Sequence, residues 1–160
     1  MIVIRRGDRL DVPFLRSLLA HAYQEHVRAA EADDEGEEDE DVSTARYVDG
    51  WGRDGDTAVV AMKDGHSIGA GWYRLFSEEA QGFGYLDDET PEVTVVVVPT
   101  RQGEGVGGEI LKALLERAAL DGYARLSASV EPGSPDAELY RSAGFATHGR
   151  EDLFVRSVRA

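Results

Sequence analysis

The chain has 160 residues, a formal net charge of −14 and no cysteine. This length favours one domain over residues 1–160, large enough to bury a hydrophobic core. The missing cysteines exclude disulfides, thiolate metal sites and cysteine nucleophiles. The acidic balance argues against a nucleic-acid partner, because phosphates bind basic surfaces. No apolar run approaches the ~20 residues of a membrane span, and the N-terminus is too poor in apolar residues for a signal peptide. We therefore expect a soluble cytoplasmic protein with no membrane partner.

The first fifty residues predict a strand, two helices and a loop. Ile2–Arg5 is typical of a strand, and Asp11 is the expected cap of a helix with regularly spaced apolar residues. Carboxylates dominate residues 31–42, the acidic run, which predicts a flexible solvated loop. The acidic run is either merely solvated or a negative field that attracts a cationic substrate. Residues 42–51 predict a second, short helix.

The middle of the chain predicts three strands of a sheet. Thr57–Lys63 and Ser67–Phe76 are joined at Asp64-Gly65, a strong hairpin signal. Glu92–Val98 follows a turn-rich stretch and contains four consecutive valines, which suggests a strand buried on both faces.

The last third predicts a strand–helix–strand unit and two further elements. The apolar stripe from Val106 to Ala118 predicts a helix that Gly122 ends, and Ala124–Val130 is the next strand. This order predicts a parallel crossover from the valine strand. Pro135–Ala143 predicts a short helix and Phe154–Val158 a final strand.

A glycine-rich segment links the valine strand to the following helix and predicts a phosphate site. Glycines let the backbone approach an anion, and a helix N-terminus supplies free N–H donors. The Gly-Lys-Ser/Thr of a P-loop is absent. Gly103-x-Gly105-x-x-Gly108, with Glu131 as the acid, formally matches a dinucleotide fingerprint. That fingerprint starts directly after its strand and needs a second mononucleotide half, which the thirty residues after Val130 cannot supply.

Two motifs resemble the GNAT N-acetyltransferase superfamily. Gln102-Gly-Glu-Gly-Val-Gly107 is similar to its acetyl-CoA motif: Gln or Arg, two residues, Gly, one residue, then Gly or Ala. Leu139-Tyr-Arg-Ser-Ala-Gly-Phe145 is similar to the Leu-Tyr and Gly-Phe pairs that often end the family's last motif. The order of elements from Ile2 to Val158 also resembles the family. The match therefore covers nearly the whole chain.

The resemblance implies an α/β fold: a mixed sheet of about six to seven strands, splayed beside the valine strand and flanked by about four helices. Coenzyme A is expected to enter the splay, with its pantetheine arm along the valine strand and its pyrophosphate on the glycine-rich segment. The residues expected to hold it are Val95, Val96, Val97, Gln102, Gly103, Glu104, Gly105, Val106, Gly107, Gly108 and Ser134.

Two of these positions depart from the family pattern. Many members carry a basic residue where Glu104 stands, and a carboxylate there repels pyrophosphate unless its side chain points to solvent. Ser134 lies near the place of a common asparagine, and its alternative role is to cap the last short helix.

The resemblance implies direct acetyl transfer from acetyl-CoA to an amine of a small molecule or peptide. Tyr140 is the candidate acid for the leaving thiolate, and its alternative is a core tyrosine. Glu92 is the candidate base, with Asp88 and Glu89 as substitutes, and its alternative is a solvated carboxylate at a strand end. No metal is expected, because the histidine spacing does not suit one.

A second function class stays open, a non-catalytic acyl-CoA-binding or sensing module of the same fold. Dimers are common in the superfamily, so the resemblance also leaves a homodimer open.

Overall fold

The computed structural model describes residues 2–20, 47–53 and 55–158. Within them, the chain forms one open sheet of seven strands: β1 (Val3–Arg6), β2 (Thr57–Lys63), β3 (His66–Arg74), β4 (Glu92–Val97), β5 (Arg125–Ser129), β6 (Ala146–His148) and β7 (Arg150–Ser157). The strand order is β1-β2-β3-β4-β5-β7-β6. Neighbours run antiparallel except for β4 and β5, which are parallel and joined through a helix. The mixed sheet confirms the predicted fold class.

Three α-helices accompany the sheet in the described residues: α1 (residues 12–20), α2 (Val106–Leu120) and α3 (Pro135–Ser142). The short second helix predicted at 42–51 lies partly outside the described residues, and residues 47–50 form a turn. None of the helices is both long and apolar enough to cross a membrane.

The core lies on both faces of the sheet, because successive strand residues point to opposite sides. The apolar stripe of α2, including Ile110 and Leu114, packs on one face with Tyr73. Leu15 and Leu18 of α1 pack on the other face with Trp72. Trp72 and Tyr73, adjacent in β3, therefore point to opposite faces of the sheet.

The sheet opens between β4 and β5. These strands pair at one position only, Glu92 with Ser127, whereas β3 and β4 pair at six positions. Beyond Glu92 the edge of β4 has no neighbouring strand, which is the predicted splay. Residues 94–97 are only partly buried. Val95 and Val97 pack against one core and Val96 against the other, so both faces of the valine strand are covered as expected. Burial is incomplete because β5 diverges and leaves this edge of β4 beside a groove.

Two local predictions need correction. Asp8, not Asp11, is the cap, and it precedes a short 3-10 turn at Arg9–Asp11 that leads into α1. Asp11 closes the capping box by accepting from the Asp8 amide at 2.8 Å. The three-residue β6 was not predicted, because so short and exposed a strand carries no hydrophobic alternation.

Candidate active site

A groove of about 640 Å³ runs along the open edge of β4 and is bordered by β5 and by the starts of α2 and α3. It brings together most of the residues that the sequence singled out. Those that line it are Glu92, Val95, Val96, Val97, Gln102, Gly103, Gly105, Val106, Gly107, Gly108, Ser134 and Tyr140.

One end of the groove is an amide nest at the N-terminus of α2. Gly103 and Gly105 have φ angles of 85° and 83°, which residues with a side chain rarely adopt. Gly105 is the N-cap, so the first amides of α2 have no partners within the helix. A Cβ on Gly107 would lie 3.1 Å from Leu139 Cδ2 of α3. Free amides, a positive helix end and no side chains in the way suit a phosphate-sized anion.

Glu104 is the one predicted cofactor residue that does not line the groove. Its carboxylate oxygen lies 3.4 Å from Lys63 Nζ and 3.7 Å from Arg101 Nη1. Lys63 and Arg101 hold the Glu104 carboxylate beside the nest and partly neutralise its negative charge, which reduces its expected repulsion of a pyrophosphate. Arg101 itself lines the groove, and the sequence reasoning missed it.

Ser134 performs the alternative role that the sequence left open. Its hydroxyl accepts from the Ala137 amide at 3.2 Å and so caps α3. It also borders the groove, so capping and proximity to a ligand are compatible.

Glu92 is a buried carboxyl, only 3% exposed, and not a solvated strand end. The Tyr47 hydroxyl donates to Oε2 at 2.5 Å and the Gly84 amide donates to Oε1 at 2.8 Å. Burial raises the pKa of Glu92 to about 7, against the hydrogen bonds from Tyr47 and Gly84 and the positive charge of Arg150. A carboxyl with this pKa exchanges its proton near neutral pH.

Tyr140 lies on α3 and faces the same groove as Glu92. It is 4% exposed and packs edge-on against Phe145, with ring centroids 5.1 Å apart. Burial raises the pKa of the Tyr140 phenol, and the negative charges of Asp136 and Glu92 add to the effect. The phenol therefore stays protonated at neutral pH.

A family model described as the acetyltransferase (GNAT) family matches residues 15–145, most of the chain. The chain belongs to the GNAT acetyltransferase family. The prediction of an acetyl-CoA-dependent acetyltransferase is thereby confirmed, and the dinucleotide interpretation is wrong.

Solved GNAT structures share the fold across the full chain. A putative acetyltransferase from Salmonella typhimurium, solved with acetyl-CoA, has a TM-score of 0.70 and 19% identity over 100% of this chain and 95% of that chain. A ribosomal-protein-alanine N-acetyltransferase from Brucella melitensis has a TM-score of 0.65 and 22% identity over 96% of each chain. A second Brucella melitensis GNAT acetyltransferase, in complex with acetyl-CoA, has a TM-score of 0.62 and 21% identity over 98% and 88%. No curated protein is detectably similar in sequence.

The sequence reasoning missed the residues that enclose Glu92 in this GNAT site. Tyr47 and Phe83 line the groove beside it, with their rings stacked 6.2 Å apart. The sequence offered one indication of this close packing, the glycines on either side of Phe83, Gly82 and Gly84. A Cβ on Gly82 would lie 2.4 Å from Glu92 Oε1, and one on Gly84 would lie 2.6 Å from the amide of Ser129. Only glycine lets this loop approach both the carboxylate and β5.

The substitute bases do not reach the groove. Asp88 accepts from the amide of Glu78 at 3.1 Å and from the hydroxyl of Tyr85, and Glu89 is exposed. His66 and His148 are exposed, whereas His21, His26 and the acidic run lie outside the described residues. Across residues 2–20, 47–53 and 55–158, no group of three acidic or histidine side chains could hold a metal ion.

Proposed function

We propose that this enzyme transfers the acetyl group of acetyl-CoA directly to a primary amine of a small molecule or peptide, within a ternary complex. The observation that carries the proposal is one groove with three features: an anion nest at one end, the open edge of β4 along its length, and Glu92 with Tyr140 at its walls.

The donor fits the nest and the edge. Pyrophosphate would take the free amides from Gly105 to Gly108, and an extended amide-containing arm would hydrogen-bond along the open edge of β4 like an added strand. Gln102 Nε2 lies 3.4 Å from the Val97 carbonyl, so this edge already attracts polar partners.

Starting from an ammonium, the chemistry removes two protons from the acceptor nitrogen and delivers one to the leaving thiolate. Glu92 accepts a proton from the acceptor ammonium, directly or through a water, which frees the amine lone pair. The C–N bond then forms as the C–S bond breaks, and Tyr140 donates its proton to the departing thiolate. As the amide forms, its nitrogen loses a second proton, which passes through water to the Tyr140 phenolate and restores the phenol, while Glu92 releases the ammonium proton to solvent. No covalent acyl-enzyme is required, in agreement with the absence of cysteine.

The acceptor side of the groove favours an amine over an acid. Glu92 and Val96 lie on the α1 face of β4, and Leu19, Tyr47 and Phe83 complete that part of the lining. Glu92 is the charged group among these residues and the others are apolar or aromatic. They therefore suit an acceptor that carries a cationic amine beside an apolar group.

The first test is thiol release from acetyl-CoA against a panel of primary amines and carboxylate analogues. Wild-type protein should accept amines only. Glu92→Gln should lower kcat by roughly 10²–10⁴-fold, and Tyr140→Phe by about 10- to 1,000-fold, with KM for acetyl-CoA little changed. Binding of acetyl-CoA without turnover of any amine would identify the non-catalytic module instead.

The second test addresses the nest alone. Gly107→Val should abolish acetyl-CoA binding in calorimetry, since its side chain would crowd Leu139 and fill the anion site. Lys112→Val places the same side chain at an exposed position of α2 and should bind normally. Normal affinity in folded Gly107→Val protein would move the phosphate site elsewhere.

A further inference from the structure

We propose that Tyr47 is a positioning residue for the catalytic base: its phenol orients the Glu92 carboxylate and holds it ready to accept the proton of the acceptor amine. The inference rests on the proposed role of Glu92. Tyr47 acts through Glu92, and neither of the two sequence motifs contains it.

The geometry forms a short chain of donors that ends on the carboxylate. The Phe83 amide donates to the Tyr47 oxygen at 2.7 Å, and the Tyr47 hydroxyl donates to Glu92 Oε2 at 2.5 Å. The Phe83 amide occupies a lone pair of the Tyr47 oxygen, and the hydrogen of the same hydroxyl points at the Glu92 carboxylate. The Gly84 amide takes the other oxygen at 2.8 Å. One donor on each oxygen fixes the orientation of the carboxylate plane.

The ring of Tyr47 is itself locked. It packs edge-on against Phe76 at 5.1 Å and stacks on Phe83 at 6.2 Å. Burial and the neighbouring Glu92 charge raise the pKa of Tyr47 well above its usual value, so the phenol keeps its proton. Tyr47 is therefore a permanent donor across the range in which Glu92 titrates.

No cation contacts Glu92 in the described residues, so the neutral donors Tyr47 and Gly84 are its direct hydrogen-bond partners. From β3, Arg74 lies directly across the sheet, but its guanidinium binds Asp56. From α3, Tyr140 faces it as a neutral phenol, and from β7, Arg150 acts only through its charge. α1 contributes Leu19 to the groove and no charged side chain there.

Removing the phenol hydrogen should therefore raise the pKa of Glu92, because a hydrogen bond to the charged form favours that form. A bond to a charged group is strong enough to move the titration by about one pH unit. In Tyr47→Phe, the carboxylate would be ionised only at higher pH, and it would also lose its fixed orientation.

The experiment follows the carboxyl carbon of Glu92 by ¹³C NMR in glutamate-labelled protein, with Glu92→Gln identifying the resonance. The wild-type midpoint should lie near 7. Tyr47→Phe should raise it by about one unit, and the acid limb of kcat/KM, measured with the best amine of the panel, should move by the same amount. KM for acetyl-CoA should not change.

Tyr73→Phe is the matched control. Tyr73 donates to the carboxylate of Asp121 at 2.6 Å and neither residue lines the groove, so the variant loses an equivalent bond. Its Glu92 midpoint should equal that of wild type. If Tyr47→Phe does not fold, replacing Tyr47 with 3-fluorotyrosine keeps the ring and strengthens the donor, and the midpoint should fall.

The outcomes separate the two proposals. An unmoved midpoint in Tyr47→Phe, or in the fluorinated protein, overturns the role of Tyr47 even if Glu92→Gln is inactive. A full rate in Glu92→Gln overturns Glu92 as the base. A midpoint that moves without the kinetic limb overturns the link between Tyr47 and catalysis.

Discussion

Two carboxyl groups are buried a short distance apart in this enzyme, and they behave in opposite ways. The Asp56 side chain is 1% exposed and receives two hydrogen bonds from the Arg74 guanidinium, at 2.9 and 2.8 Å. Glu92 is 3% exposed and receives only neutral donors. Burial pushes the pKa of both carboxyls upward. At Asp56 the bonds and charge of Arg74, together with the backbone amides of Arg53 and Gly52, outweigh burial and lower the pKa, whereas the pKa of Glu92 rises to about 7.

The comparison shows that the hydrogen-bond partner, not burial, decides whether the pKa of a buried carboxyl is lowered or raised. Arg74 stands beside both groups. It pairs with Glu92 in the register of β3 and β4, yet its guanidinium binds Asp56 and the carbonyl of Asp49. The Arg74 guanidinium is therefore bonded to Asp56 although its register partner is Glu92, the proposed base.

The two groups also give opposite pH dependences. The folded-state pKa of Glu92 is raised, so its contribution to stability is full below the unfolded value near 4.5 and is lost as the pH rises through about 7. The folded-state pKa of Asp56 is lowered, so its contribution is present above about 3.8 and is lost as the pH falls below that.

The largest expected effect comes from breaking the ion pair. Arg74→Met leaves the buried Asp56 carboxylate with only the more distant Arg53, 3.8 Å away, as a cation, and should cost roughly 3–5 kcal/mol of unfolding free energy in urea titrations. Arg16→Ala is the control. Arg16 pairs with Asp49 at 2.8 Å but both side chains are at least half exposed, so its loss should cost less than about 1 kcal/mol. Equal costs for the two variants would contradict the distinction.

An intermediate effect is expected from neutralising the other carboxyl. In wild type, Glu92 should remove about 3 kcal/mol of stability between pH 4.5 and pH 8, the linkage equivalent of its raised pKa. Glu92→Gln does not titrate, so the difference in unfolding free energy between the two proteins should grow with pH across this window. A pH-independent difference would mean that Glu92 titrates normally.

The smallest effect is expected from removing the Asp56 charge that binds Arg74, because Arg74 is the register partner of Glu92, the proposed base. In Asp56→Asn the Arg74 guanidinium loses the neighbouring negative charge of Asp56, and Glu92 is its register partner across β3 and β4, so the pKa of Glu92 should fall by about one unit. The NMR midpoint and the acid limb of kcat/KM should both move down, opposite to Tyr47→Phe. A rise, or no change, would show that Arg74 does not influence the base.

Much of the fold followed from local patterns in the sequence. The Asp64-Gly65 hairpin, the stripe of α2 and the glycine-rich turn depend on contacts between near neighbours, and all three lie where they were predicted. The family motifs likewise occupy short segments, so the acetyltransferase and the position of Tyr140 could be predicted from residues alone.

The raised pKa of Glu92, the proposed base, depends on the tertiary structure. Tyr47 and Glu92 are 45 residues apart in sequence, and no local pattern predicts that their side chains meet. The orientation of Glu104 toward Lys63 depends on a contact over 41 residues in the same way. Strand propensity and a glycine turn are set by steric limits on a few dihedral angles, so the sequence determines them directly. A pKa is set by desolvation and by donors from distant segments, so it exists only once the chain has folded.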